Sequence, residues 1–194
     1  MTENVFEKMA ERYDTAERKS LAQIITKEIE PEFHGKIMDY GSGTGLVSLP
    51  LAHRAEELIL VDAAENMLAV AEHKIQQQRL TNARVLHADF TDGAPKISVD
   101  TIMMSLVLLH IPDTKKILTE LFELLPNGGK LLIVDFMKNS SVSHPKVHSG
   151  FDPAELTSLL KTIGFSKVNI HDFYHGEKIF MNQAADLFLA TCYK

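Results

Sequence analysis

Apolar positions recur along the chain with two different periods, and the alternation between them predicts most of the fold. Near the start, Phe6, Met9, Ala10 and Tyr13 are spaced as on one face of a helix, and Leu21, Ile24, Ile25 and Ile29 repeat the pattern. Two N-terminal helices are expected. The second ends before Pro31, because a residue preceding proline is pushed out of helical geometry. Short apolar runs then alternate with amphipathic stretches. The expected order is strand 36–40, helix 44–54, strand 58–62, helix 65–79, strand 84–88, strand 100–105, helix 113–125 and strand 129–136. Such alternation belongs to a parallel sheet with crossover helices. Pro50 falls inside the helix over 44–54 and lacks the N–H that helix needs. Either the helix bends there or its boundary is wrong.

After Asp135 the texture changes. Residues 137–151 hold Ser, His, Pro, Lys and Gly without periodicity, and read as an irregular loop longer than most connections. Asp152 and Pro153 then open a helix, with an acid at the cap and a proline in the first turn. It runs through Leu156, Leu159, Leu160 and Ile163 and stops at Gly164. Two further strands are expected over 168–174 and 187–193. The whole reads as a single domain over 1–194: N-terminal helices over 1–30, a core over 36–136, and a loop, helix and closing strands over 137–194.

Residues 37–45 carry the densest chemical signal. An apolar run ends in Asp39, and Gly41, Gly43 and Gly45 follow at alternate positions. A chain turning sharply around a ligand needs residues that tolerate strained angles and close backbone approach. The dinucleotide fingerprint G-x-G-x-x-G is not met, because Leu46 stands where its third glycine belongs. A carboxylate beside a pyrophosphate is also unfavourable, whereas one beside a cationic amino-acid end is favourable.

Asp39, Gly41, Gly43 and Gly45 together resemble the first motif of class I S-adenosylmethionine-dependent methyltransferases. Four later segments agree in order: residues 58–62 ending at Asp62, 85–90 ending in Asp89 and Phe90, 100–113 with Ser105 and His110, and 125–135 ending at Asp135. The resemblance implies an α/β, doubly wound, mostly parallel seven-stranded sheet with helices on both faces and an antiparallel C-terminal edge hairpin. It implies S-adenosylmethionine as cofactor. Asp62, a strand-end acid about 20 residues beyond the glycines, suits the ribose diol. By resemblance, Asp89 would meet the adenine amino group, Phe90 and Met67 would pack on the adenine, and Ser105 would face the methionine end. Met67 also stands at helical spacing with Ala71 and Ile75, which fits core packing equally well, and Phe90 is as readily a core residue.

The acceptor side is less marked. His110 lies just past a strand end, on the side where open α/β sheets bind ligands, and histidine accepts protons near neutral pH. It equally suits a loop-ordering role. Tyr13 lies on a segment that similar enzymes use as a lid, and Asp135 fits either acceptor orientation or a strand cap. The Asn/Asp-Pro-Pro-aromatic motif of amino-group methylation on bases is absent, since the chain reads Ser105, Leu106, Val107, Leu108. His144 and His148 are four apart, but Pro145 interrupts any helix and no third ligand follows, so no metal is expected. Both histidines remain candidates for lining an acceptor pocket.

Composition narrows the partners. The chain of 194 residues carries a net charge of −6, which argues against a nucleic-acid partner. No apolar run approaches a membrane span, and Met1 leads into no long apolar segment, so neither membrane nor signal peptide is expected. The single cysteine excludes an internal disulfide and points to a reducing, cytoplasmic compartment. A small-molecule acceptor is the preferred reading, with monomer and homodimer both compatible. The runner-up readings are an RNA or protein methyltransferase, then a nicotinamide-dependent oxidoreductase or a cofactor-binding module without catalysis.

Overall fold

The computed structural model describes residues 5–89, 95 and 97–194. The chain divides into two compact units, Met1–Pro95 and Lys96–Lys194. In the first, α1 (Val5–Met9) tightens into a 3-10 turn at Ala10–Arg12. Then α2 (Ala16–Ile29) starts where the Thr15 hydroxyl accepts the Arg18 N–H at 3.3 Å. Three parallel strands follow: β1 (Gly35–Tyr40), β2 (Ala55–Asp62) and β3 (Ala83–His87), with α3 (Glu65–Gln78) crossing between the last two. Ile37, Met38 and Leu58 to Val61 are buried, as strands covered on both faces must be. Asp39 and Asp62 lie at the C-terminal ends of β1 and β2, where the apolar runs finish.

The helix expected over 44–54 does not form. Residues 41–48 are turns, and only Leu49–Arg54 coils, as a 3-10 segment with Pro50 in its first turn. The cause is the glycine run as much as the proline. Gly41, Gly43 and Gly45 take φ of 72°, 54° and 74°, a left-handed backbone that no α-helix accommodates.

The second unit holds β4 (Thr101–Ser105), α4 (Thr114–Leu124), β5 (Lys130–Phe136), α5 (Pro153–Ile163), β6 (Lys167–Phe180) and β7 (Gln183–Tyr193). Asp113 caps α4 by accepting the Lys116 N–H at 2.9 Å, and Asp152 caps α5 from Ala154 and Glu155. β4 and β5 are parallel, while β7 runs antiparallel to both β5 and β6. The strand order is β3-β2-β1-β4-β5-β7-β6, a seven-stranded mixed sheet. β6 and β7 extend well beyond the expected 168–174 and 187–193. They meet at Met181 and Asn182, whose φ of 48° and 64° make the left-handed turn that suits a twisted hairpin. Polar residues and register shifts over 172–180 hid this continuation from the sequence.

All of β5 is buried. Cys192 on β7 pairs with Leu131 on one side and Val168 on the other, fully buried, and burial pushes its thiol up to about 12. Among the described residues, no helix is long and apolar enough to cross a membrane.

Candidate active site

In the first unit the glycine turn is shaped by the end of β2. The N–H groups of Gly41 and Ser42 both donate to the Val61 carbonyl, at 2.7 and 3.0 Å. The Gly43 N–H donates to Asp62 Oδ2 at 2.8 Å, and the Ala64 N–H donates to Asp62 Oδ1 at 2.8 Å. The Ala63 N–H also bonds this carboxylate, so backbone donors set its orientation from both sides. Burial raises the Asp62 carboxyl above its ordinary value, and the Ala64 and Gly43 donors oppose that shift.

The three glycines are not equivalent. A methyl at Gly45 would stand 2.7 Å from the Leu49 side chain and 2.8 Å from that of Leu60, so this position is glycine for packing as well as for its left-handed backbone. A methyl at Gly43 would meet nothing closer than Tyr13 Cε1, at 4.0 Å. The space over Gly43, under the Tyr13 ring, is open. Among the described residues, the buried Ser42 Oγ beside it has no hydrogen-bond partner. An open cradle, an unpartnered hydroxyl and a carboxylate oriented by backbone donors fit a polar cofactor bearing a diol.

Asp39 is fully buried, and loss of water pushes its carboxyl up to about 7. The Ser48 hydroxyl faces it and opposes that shift, although its oxygen makes no hydrogen bond of sound geometry. Burial outweighs it, since a rotating hydroxyl compensates little of a carboxylate's lost hydration.

The N-terminal segment is fastened over this turn. α3 has no cap of its own, because Ala64 offers no side-chain acceptor. Glu7 supplies one from 58 residues away: its carboxylate accepts the N–H groups of Glu65 and Asn66 at 2.7 and 2.9 Å. Ala10, Ala64 and Met67 form a buried apolar cluster with Phe6, Tyr13 and Val70 packed against it. Met67 thus sits in the seam that fastens the segment to α3, 1% exposed. Asp14 then accepts the Thr44 hydroxyl at 2.5 Å and pairs with Lys74 Nζ at 2.6 Å, while Lys74 donates to the Thr44 carbonyl at 2.7 Å. Tyr13 lies beneath the Arg18 guanidinium, 4.3 Å from its ring centre. Burial raises the Tyr13 phenol, with Arg18 opposing. Glu7, Asp14, Thr44 and Lys74 carried no signal in the sequence, since their contacts span 30 residues or more.

Asp89 follows β3 and is exposed, and Phe90 lies outside the described residues. In the second unit, Ser105 ends β4, and its buried Oγ has no hydrogen-bond partner among the described residues. Leu106 next to it takes a left-handed φ of 56°, a strained setting for a branched side chain, while its N–H donates to the Val134 carbonyl at 2.8 Å. The turn at Leu108–His110 follows. His110 is exposed, and partial loss of water, then nearby His144, holds its imidazole below the ordinary value. Asp135 is fully buried, and burial pushes its carboxyl up to about 7. It accepts the N–H groups of Leu109 and Phe136 at 3.1 and 2.8 Å, so it braces the His110 turn. His148, from the 137–151 loop, bonds the same turn: its N–H donates to the Leu109 carbonyl and its Nε2 to that of Ile111, both at 2.8 Å. His144 Nδ1 is engaged by the Lys146 N–H at 3.1 Å.

A family model described as a methyltransferase domain matches residues 32–181. A demethylmenaquinone methyltransferase of Clavibacter sepedonicus is 30% identical over 142 residues, covering 71% of this chain and 56% of that protein. An uncharacterized methyltransferase of Schizosaccharomyces pombe is 25% identical over 154 residues, covering 69% of this chain and 54% of that protein. The chain thus spans about half the length of these curated relatives. Among solved structures, the DhpI-SAM-HEP complex is similar with a TM-score of 0.77 and 21% identity, covering 97% of this chain and 94% of that one. At that identity the likeness speaks for the fold alone.

Proposed function

From the premise that this chain belongs to the methyltransferase-domain family, S-adenosylmethionine-dependent enzymes, we propose that it transfers a methyl group to a small organic acceptor. The observation carrying the reading is the Asp62 carboxylate. It is fixed by the backbone donors of Gly43 and Ala64, one on each oxygen, with the Ala63 N–H beside them, and a carboxylate so oriented accepts from a diol through its remaining lone pairs. When bound, S-adenosylmethionine supplies a methyl group already activated on a sulfonium.

The residues' work is then alignment and exclusion of water. Asp62 holds the ribose hydroxyls. Gly43 gives the backbone its close approach, and Tyr13, fastened through Asp14 and Lys74, covers the turn. Asp39, raised to about 7 by burial, ionises more readily once the cationic amino-acid end of the cofactor lies beside it, with Ser42 as a polar contact, and Asp89 takes the adenine amino group. His110, whose lowered value keeps its imidazole neutral near pH 7, accepts the acceptor's proton where one is released. Similarity to demethylmenaquinone methyltransferases supports a small, ring-containing acceptor, and the net charge of −6 supports no nucleic acid. The single buried cysteine supports a reducing, cytoplasmic setting.

The test is calorimetry followed by turnover. S-adenosylhomocysteine should bind and NAD should not. Labelled S-adenosylmethionine offered with a metabolite library should give an extractable small product. Tighter binding of NAD overturns the cofactor, and label found only on RNA or protein overturns the acceptor class.

A further inference from the structure

The backbone on both sides of His110 is held by one residue from elsewhere in the chain. His148 donates its N–H to the carbonyl of Leu109 and its Nε2 to the carbonyl of Ile111, each at 2.8 Å. A carbonyl only accepts, so Nε2 must carry the hydrogen, which fixes the tautomer. The ring is itself held. Phe151 lies 5.5 Å from it, tilted 40°, and Phe188 of β7, fully buried, meets Phe151 edge-on at 6.4 Å. The Phe151 N–H donates to the Phe136 carbonyl at 2.9 Å, anchoring this stack to β5. From below, Asp135 accepts the Leu109 N–H at 3.1 Å. The His110 turn is thus clamped between β5 and the 137–151 loop, and the clamp closes one residue before and one residue after His110.

We propose that His148 is a positioning residue: through its two bonds it sets the orientation in which His110 meets the methyl acceptor. This rests on the proposed role of His110, and it gives the 137–151 loop a task other than lining a pocket. The loop carries the Nε2 donor. Without it the Ile111 carbonyl loses its partner, and the loop holds the turn only through the residue-148 N–H on the Leu109 carbonyl, before His110 and no longer after it. Aligned groups lose rate steeply when displaced by about an ångström.

The experiment compares wild type, His148→Ala and His148→Gln in the full chain. Glutamine offers an N–H near the position of Nε2, and alanine offers none. The first readout is the His110 ring titration by NMR, with neither cofactor nor acceptor present. In His148→Ala the midpoint should rise toward that of a free imidazole as the turn opens to water. In His148→Gln it should stay close to wild type. Phe151→Leu, which removes the ring behind His148 and leaves the donor, should shift it the same way by less. The second readout is turnover: kcat should fall roughly tenfold in His148→Ala with KM for the cofactor unchanged, and His148→Gln should recover most of it. An unmoved His110 titration in His148→Ala overturns the proposal, as does a glutamine variant no better than alanine. If the titration moves as expected and no methyl transfer is found with any acceptor, the clamp stands and the proposed function fails.

Discussion

Asp62 Oδ2 and the Gly43 N–H meet at 2.8 Å, joining the end of β2 to the centre of the glycine turn. The bond makes the acid that would hold the ribose also the residue that shapes the backbone beside it.

Replacing Asp62 with alanine therefore removes an acceptor from Gly43 and Ala64 together with the carboxylate that would hold the ribose. A hydrogen bond to a charged group contributes about 1.5–3 kcal/mol. Binding of S-adenosylhomocysteine should weaken by roughly tenfold or more, as read by calorimetry. Unchanged affinity would place the ribose elsewhere.

The middle and last glycines of the turn should separate fold from function. Gly45→Ala puts a methyl 2.7 Å from Leu49 and should cost about 1–3 kcal/mol in overpacking, with left-handed strain added. Gly43→Ala carries only the strain, roughly 1–2 kcal/mol, because among the described residues the nearest atom, Tyr13 Cε1, lies at an unstrained 4.0 Å. Thermal melts should show Gly45→Ala as the less stable variant. Gly43→Ala should remain folded and lose cofactor affinity.

Stability should fall as the solution is made less acidic. Asp39 and Asp135 are each pushed up to about 7 in the fold from 3.8. The folded chain then binds more protons than the unfolded chain between those values, so stability present below about pH 4 declines as pH rises through about 7. The upper limit is on the order of 4 kcal/mol for each group. Melting from pH 4 to 8 should show this slope. Asp39→Asn, which removes one of the two carboxyls, should flatten it, and an unchanged slope would assign it to other groups.

Glu7→Ala should uncap α3. Loss of a cap costs about 1 kcal/mol. Because the same carboxylate fastens the N-terminal segment, the amides of residues 6–15 should exchange faster with solvent while those of β2 stay protected. Equal protection in both variants would show that the apolar cluster around Met67 holds the segment alone.

The sheet was legible because its strands are continuous apolar runs ending in Asp39, Asp62 and Asp135, and the caps at Asp113 and Asp152 lie next to the helices they start. Reading failed where geometry depends on distant partners. The turn over 41–48 resembled a helix start, yet three left-handed glycines tied to Val61 and Asp62 rule one out. Glu7 looks like any solvated acid in sequence; only folding brings it to α3. His148 looked like part of an irregular loop, and its bonds to Leu109 and Ile111 follow no period. Helical spacing lets Met67 suit adenine or core equally, and in the fold it lies in a buried cluster with Ala10 and Ala64 that no short stretch of sequence reveals.

Cys192 gives the protein a built-in reporter. It is the only thiol in the chain, fully buried between two neighbouring strands and protonated at any working pH. A thiol reagent should therefore leave the native molecule unmodified, and the rate at which it eventually reacts would time the parting of β7 from its neighbours. A second cysteine placed on the surface would be the sole target for a dye, leaving Cys192 as a silent internal clock.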